Sequence, residues 1–115
     1  MNVIVPDEVR NSPRLMAASD RIKAHLEVAL RDPITDDPVT AEFGVIHEPG
    51  GRAGLDLALA DPTGTASTRF SVDKLSDDAY LARQVRDVWG HLLGKRTRAY
   101  VARLMIDIAA MPNGV

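Results

Sequence analysis

The side chains best suited to chemistry in this chain are cationic, and they are bunched. Arg83, Arg86, Lys95, Arg96, Arg98 and Arg103 fall in one stretch whose single acid is Asp87. Guanidinium and ammonium groups at this density attract phosphates, and neutralising phosphates releases the counterions condensed on a nucleic acid. No zinc-finger spacing and no convincing recognition helix accompanies them. The chemistry implied is contact with the sugar-phosphate backbone, without reading of base edges. The plain alternative is a helix with a basic, solvated face.

Other chemistries are poorly supplied. His25, His47 and His91 fall in three different elements, and no two stand at metal-ligand spacing. His47-Glu48 beside Gly50-Gly51 has the composition of an acid/base pair next to an anion loop, but a histidine at a strand end is ordinarily just solvent-exposed. The stretch GGRAG at 50–54 lacks the lysine and following Ser or Thr of a phosphate-binding P-loop. With no cysteine, disulfide scaffolds, thiolate metal sites and cysteine nucleophiles are excluded. The expectation is a protein that is not an enzyme and uses no cofactor, metal or small-molecule substrate.

A chain of 115 residues supports one domain, residues 1–115, with a thin core. A composition 45% hydrophobic and 26% charged excludes a disordered or fibrous class. No apolar run approaches the roughly 20 residues needed to cross a bilayer. The opening MNVIVPDEVR has no basic leader, so a cytoplasmic protein is expected, at the bacterial nucleoid if it binds DNA. The net charge of −2 hides an asymmetry: Met1–Pro62 holds 11 acids and 6 Lys or Arg, Thr63–Val115 holds 5 and 8.

The elements that must position these residues follow from hydrophobic period and punctuation. After an N-terminal arm at 1–12, Ser12-Pro13 is a cap and first-turn pair, and Leu15, Met16, Ile22, Leu26 and Leu30 recur at helical spacing. A helix over 13–31 is predicted, stopped by Asp32-Pro33, with a connector at 32–38. From Val39 the period drops to 2. Strands are predicted at Val39–Val45, Leu55–Ala60 and Thr65–Val72, joined by the Pro49-Gly50-Gly51 break and the DPTG turn at 61–64. Consecutive strands with short turns make a three-stranded antiparallel meander over 39–72. Ser76 is the predicted cap of a second helix whose stripe is Leu81, Val85, Val88 and Leu92, with Trp89 and Leu93 beside it. Gly94 is a plausible stop, and the apolar segment from Thr97 to Met111, ended by Pro112, either continues the helix or forms a further one. The fold class is therefore α+β, in the order α-β-β-β-α, with a helical region at 76–111.

A small meander offers one face to its helices, and the apolar content of the first helix and the tail exceeds what that face needs. Burial against a second copy follows as an expectation, a homodimer with Leu15, Ile22, Leu57, Trp89 and Leu104 at its interface. The alternative is a monomer whose last helix folds back over its own sheet.

The stretch GRAGLDLALADPTGTASTRFSVDKLSDDAYLARQV also resembles the central signature of the YbaB/EbfC family of nucleoid-associated proteins. The matching positions are Gly51, Gly54 and Leu55 before the strand, Gly64 in the turn, then Val72-Asp73, Leu75, Asp77-Asp78, Leu81 and Val85. The chain differs from the usual pattern at Lys74, where the family has proline, and at VWGHLL in the second helix. The resemblance implies a small homodimer that binds duplex DNA with little sequence preference, through Arg83, Arg86, Lys95, Arg96, Arg98 and Arg103. The second reading is a protein-interaction or assembly module of the same fold that does not bind nucleic acid. The order αβββα is also similar to that of double-stranded RNA-binding domains, whose second helix begins with lysines; here Ser76-Asp77-Asp78 would repel phosphate.

Overall fold

In the computed structural model, which describes residues 1–31 and 38–110, the chain starts as a strand rather than a free arm. β1 (Asn2–Ile4) lies parallel to β2 (Thr40–His47), with Val3 opposite Ala41, and the Asn2 N–H donates to Val39 C=O at 2.9 Å. Between them run the single turn α1 (Asp7–Arg10) and α2 (Pro13–Ala29), which together form the crossover that parallel strands require. β3 (Ala53–Asp61) and β4 (Gly64–Phe70) complete the meander, a 3₁₀ turn spans Val72–Lys74, and α3 (Asp78–Ala109) closes the described chain. The α+β class holds, but the sheet has four strands in the order β1-β2-β3-β4 and is mixed.

The helix starts follow the capping chemistry. Ser12 Oγ accepts from Leu15 N–H at 3.3 Å with Pro13 in the first turn. At α3 the cap is Asp77, whose carboxylate accepts from Tyr80 N–H at 3.2 Å, and not Ser76 as expected from the sequence. A carboxylate answers both the free amides and the positive helix end, which a hydroxyl does less well. Helix α2 ends at Ala29, two residues short of the expected Arg31. Asp32-Pro33, connector residues 32–37 and the closing MPNGV segment with Pro112 lie outside the described residues.

One face of the sheet carries the core. Leu55, Leu57 and Leu59 of β3 point into it together with Ala41 and Phe43 of β2 and Phe70 of β4, and α2 and α3 lie across them with Ile22, Leu26, Leu81, Val85 and Leu92. Val9 seals the end of this layer from α1. The other face, with Thr40, Glu42, Ala58, Ala60, Thr65, Ser67 and Arg69, has no helix of the described residues over it.

α3 is one uninterrupted helix of 32 residues. Gly94 does not stop it, because its φ is not positive and the left-handed turn that makes glycine a helix terminator never forms. From Thr97 to Ala110 every residue is exposed, so roughly 20 Å of helix stands clear of the domain. The radius of gyration, 17.6 Å, exceeds the roughly 13 Å of a compact chain of this length for that reason.

A glycine inside a helix costs about 1 kcal/mol relative to alanine. A Cβ on Gly94 would meet only Arg98 Nη1, at 3.8 Å. Gly94→Ala is therefore expected to stabilise the fold by about 0.5–1 kcal/mol in urea titration, whereas a left-handed cap or a hinge at this position would make the change destabilising.

Candidate functional site

The long helix presents two surfaces. Toward the sheet, Leu81, Val85, Val88, Trp89, Leu92 and Arg96 form a buried stripe. Past Arg96 the apolar spacing continues as Val101, Leu104, Met105 and Ile108, but at 100° per residue this second stripe is turned roughly 150° from the first. It faces away from the domain, and Val101, Leu104, Met105 and Ile108 are 45–61% exposed, with Tyr100 beside them. Gly90, Arg83 and Arg86 lie on the same outward line nearer the start of the helix, all exposed.

The changeover is marked by a buried ion pair. Arg96 Nε donates to Asp61 Oδ2, with side chains 5% and 0% exposed, and the guanidinium carbon lies 5.2 Å from the Trp89 ring centroid. Asp61 Oδ1 also accepts from Thr63 N–H at 2.7 Å, Thr63 Oγ1 at 2.6 Å and Gly64 N–H at 3.2 Å, which builds the β3–β4 turn around the carboxylate. Burial by itself would raise the Asp61 carboxyl. Hydrogen bonds from Arg96 and Thr63 outweigh it and hold the group below the usual carboxylate range.

The six cations are thus dispersed. Arg96 is a structural residue, a correction to its expected place among phosphate contacts: enclosed and engaged by Asp61, it has no access to a ligand. Arg83 and Arg86 face outward. Lys95 and Arg98 line a groove beside β4, where Lys95 Nζ donates to Thr65 C=O. Arg103 sits on the projecting segment, on the side opposite the Val101–Leu104 stripe. Among the described residues Arg83, Arg86, Arg98 and Arg103 form no ion pair.

The expected interface residues also divide. Leu15, Ile22, Leu57 and Trp89 are 3, 0, 0 and 8% exposed, enclosed by the chain's own core. The covered face of a four-stranded sheet consumes them, leaving nothing for a second copy; only Leu104, 45% exposed, remains available. The histidines stay apart. His25 contacts Asp78 at 2.9 Å, exposed His47 contacts Glu8 at 2.8 Å rather than Glu48, and His91 lines the groove. Among the described residues no group of His, Asp and Glu could hold a metal ion, and no helix is long and apolar enough to cross a membrane.

Sequence reasoning missed Asp61 as the partner of Arg96, although its place in DPTG was visible. It also placed Tyr100–Ile108 as apolar without finding that they face outward. Comparison with family models, curated proteins and solved structures finds no match.

Removing one partner of a buried pair leaves the other charge uncompensated, which costs about 3–5 kcal/mol. Asp61→Asn is expected to lose stability in that range at neutral pH. Because the folded carboxyl is held low, this contribution is complete above the unfolded value of about 4 and is lost as pH falls through the lower folded value. The difference between wild type and variant in denaturant titrations should shrink as the pH is taken below about 4.

Proposed function

We propose that the chain is a non-catalytic assembly module that pairs with a second copy through the projecting half of α3. The observation that carries this reading is the exposed stripe Val101, Leu104, Met105 and Ile108 on a segment that none of the other described elements covers. Isolated helical stretches of this length are marginal in water, and most helical stability comes from packing an apolar face. Burying such side chains stabilises by about 1.5–3 kcal/mol each.

Antiparallel pairing fits the sequence of the outward line. With Thr97 at the two-fold axis, Gly90 of one copy lies level with Leu104 of the other and Gly94 with Tyr100, so the bulky side chains meet bare helix. Arg86 then stands next to Asp107 of the second copy, whereas parallel pairing would set Arg83 and Arg86 against their own equivalents. The module would work in the cytoplasm.

A second reading, duplex DNA held through backbone phosphates with little sequence preference, is favoured by the exposed and unpaired state of Arg83, Arg86, Arg98 and Arg103, and by the YbaB/EbfC resemblance. It would place the protein at the nucleoid.

Sedimentation equilibrium tests both. Wild type is expected at twice the chain mass, and Leu104→Asp at the chain mass, with any loss of helical circular dichroism confined to the projecting segment that loses its packing. A wild type that stays at the chain mass at high concentration overturns the assembly reading. Retention of a short duplex at low salt, with a slope against log salt that falls by about one for Arg83→Ala, supports the DNA reading; no retention removes it.

A further inference from the structure

β4 is one of the two edge strands of the sheet, and the hydrogen-bond alternation shows which of its groups face outward. Glu48 N–H donates to Arg52 C=O at 3.0 Å, which makes these two a bonded pair in the β2–β3 ladder. Antiparallel pairs alternate, so Gly54, Asp56, Ala58 and Ala60 bond to β2, while Leu55, Leu57 and Leu59 turn their N–H and C=O groups to Phe70, Thr68 and Ala66 of β4. The backbone groups of Thr65, Ser67 and Arg69 therefore point away from the sheet. The edge is capped at both ends: Lys95 Nζ takes Thr65 C=O, and Ser71 N–H donates to Tyr80 Oη at 2.9 Å. Between the caps, Ser67 and Arg69 are exposed, and their backbone groups have no partner among the described residues.

A groove of about 520 Å³ lies beside the Thr65–Ser67 part of this edge, with Thr65, Ala66 and Ser67 on one side and Gly90, His91, Gly94, Lys95 and Arg98 on the other. Among the described residues no carboxylate lines it. Its helix wall is bare at Gly90, where an added Cβ would meet nothing within 4 Å. The site combines a strand's alternating donors and acceptors, room for an extended backbone and two cations.

We propose that the β4 edge docks an extended acidic segment of another protein, added to the sheet as a fifth strand, with its carboxylates on Lys95 and Arg98. Duplex DNA could use the cations but has no backbone that matches the outward N–H and C=O groups. A second β4 would bring Lys95 and Arg98 up to their own equivalents, like charge against like. The strand edge is separate from the stripe on the projecting helix, while Gly90 and Gly94 belong both to the groove and to the helix line that antiparallel pairing would bring together.

The test is an amide-resolved NMR titration at low salt with a short peptide of alternating Glu and Val, run beside the same peptide N-methylated at alternate amides. The expected result is shifts at Thr65, Ser67 and Arg69, binding lost on N-methylation, and affinity at least tenfold weaker for Arg98→Glu. Ser67→Pro should abolish binding, since proline is tolerated on an edge strand where the N–H faces solvent. Should that variant fail to fold, the methylated peptide on wild type still decides. Equal binding of the methylated peptide, shifts confined to α3, preference for a Lys-and-Val peptide or no saturation at millimolar peptide each overturns the proposal. So do shifts at the strand amides on adding duplex DNA alone, or a changed solution mass for Ser67→Pro, which would assign the edge to nucleic acid or to a second copy.

Discussion

The structure turns on the contact between Arg96 and Asp61. A charge taken out of water needs a partner in good geometry and further hydrogen bonds, and Asp61 meets that condition by gathering donors from Arg96, Thr63 and Gly64 at once. One carboxylate therefore shapes the β3–β4 turn and fixes the helix that crosses it. The guanidinium also rests near Trp89, two turns up the same face, so helix, hairpin tip and aromatic ring form a single locked corner. Beyond that corner every described residue of the helix is exposed.

From this follows the division of labour along α3. Before Arg96 its apolar side chains serve the chain's own core; after Arg96 they are turned to the opposite side and are exposed among the described residues. The sheet is divided in the same way, with one face covered by α2 and α3, the other left open, and the β4 edge capped only at its ends. Such a domain satisfies its own core with very little to spare and leaves three surfaces, the projecting stripe, the cations and the strand edge, uncovered among the described residues.

Much of this arrangement is legible in the residues. The shift from 3.6 to 2 periodicity at Val39, the DPTG turn and the Ser12-Pro13 start place α2 and the meander to within a few residues, because each rests on local chemistry. The parts not legible depend on distant partners. β1 is three residues long, too short for a pattern, and it exists through pairing with β2. Arg96 cannot be told from Arg98 by composition, since what separates them is Asp61, 35 residues away. Leu15, Ile22 and Leu57 announce burial, but whether in the chain's own core or against a neighbour is decided by how much helix the sheet can accept. At Gly94 the sequence offers a residue that permits a break, and packing of Leu92 and Arg96 on either side keeps the helix whole.

An unbroken rod anchored at one point also constrains which changes of length the chain can accept. Each residue inserted or deleted between Arg96 and Val101 would swing the outer stripe by 100° and shift it by 1.5 Å, whereas a change of seven residues returns it nearly to its original bearing. Related chains that keep the same bearing of this stripe should differ there by whole heptads or not at all.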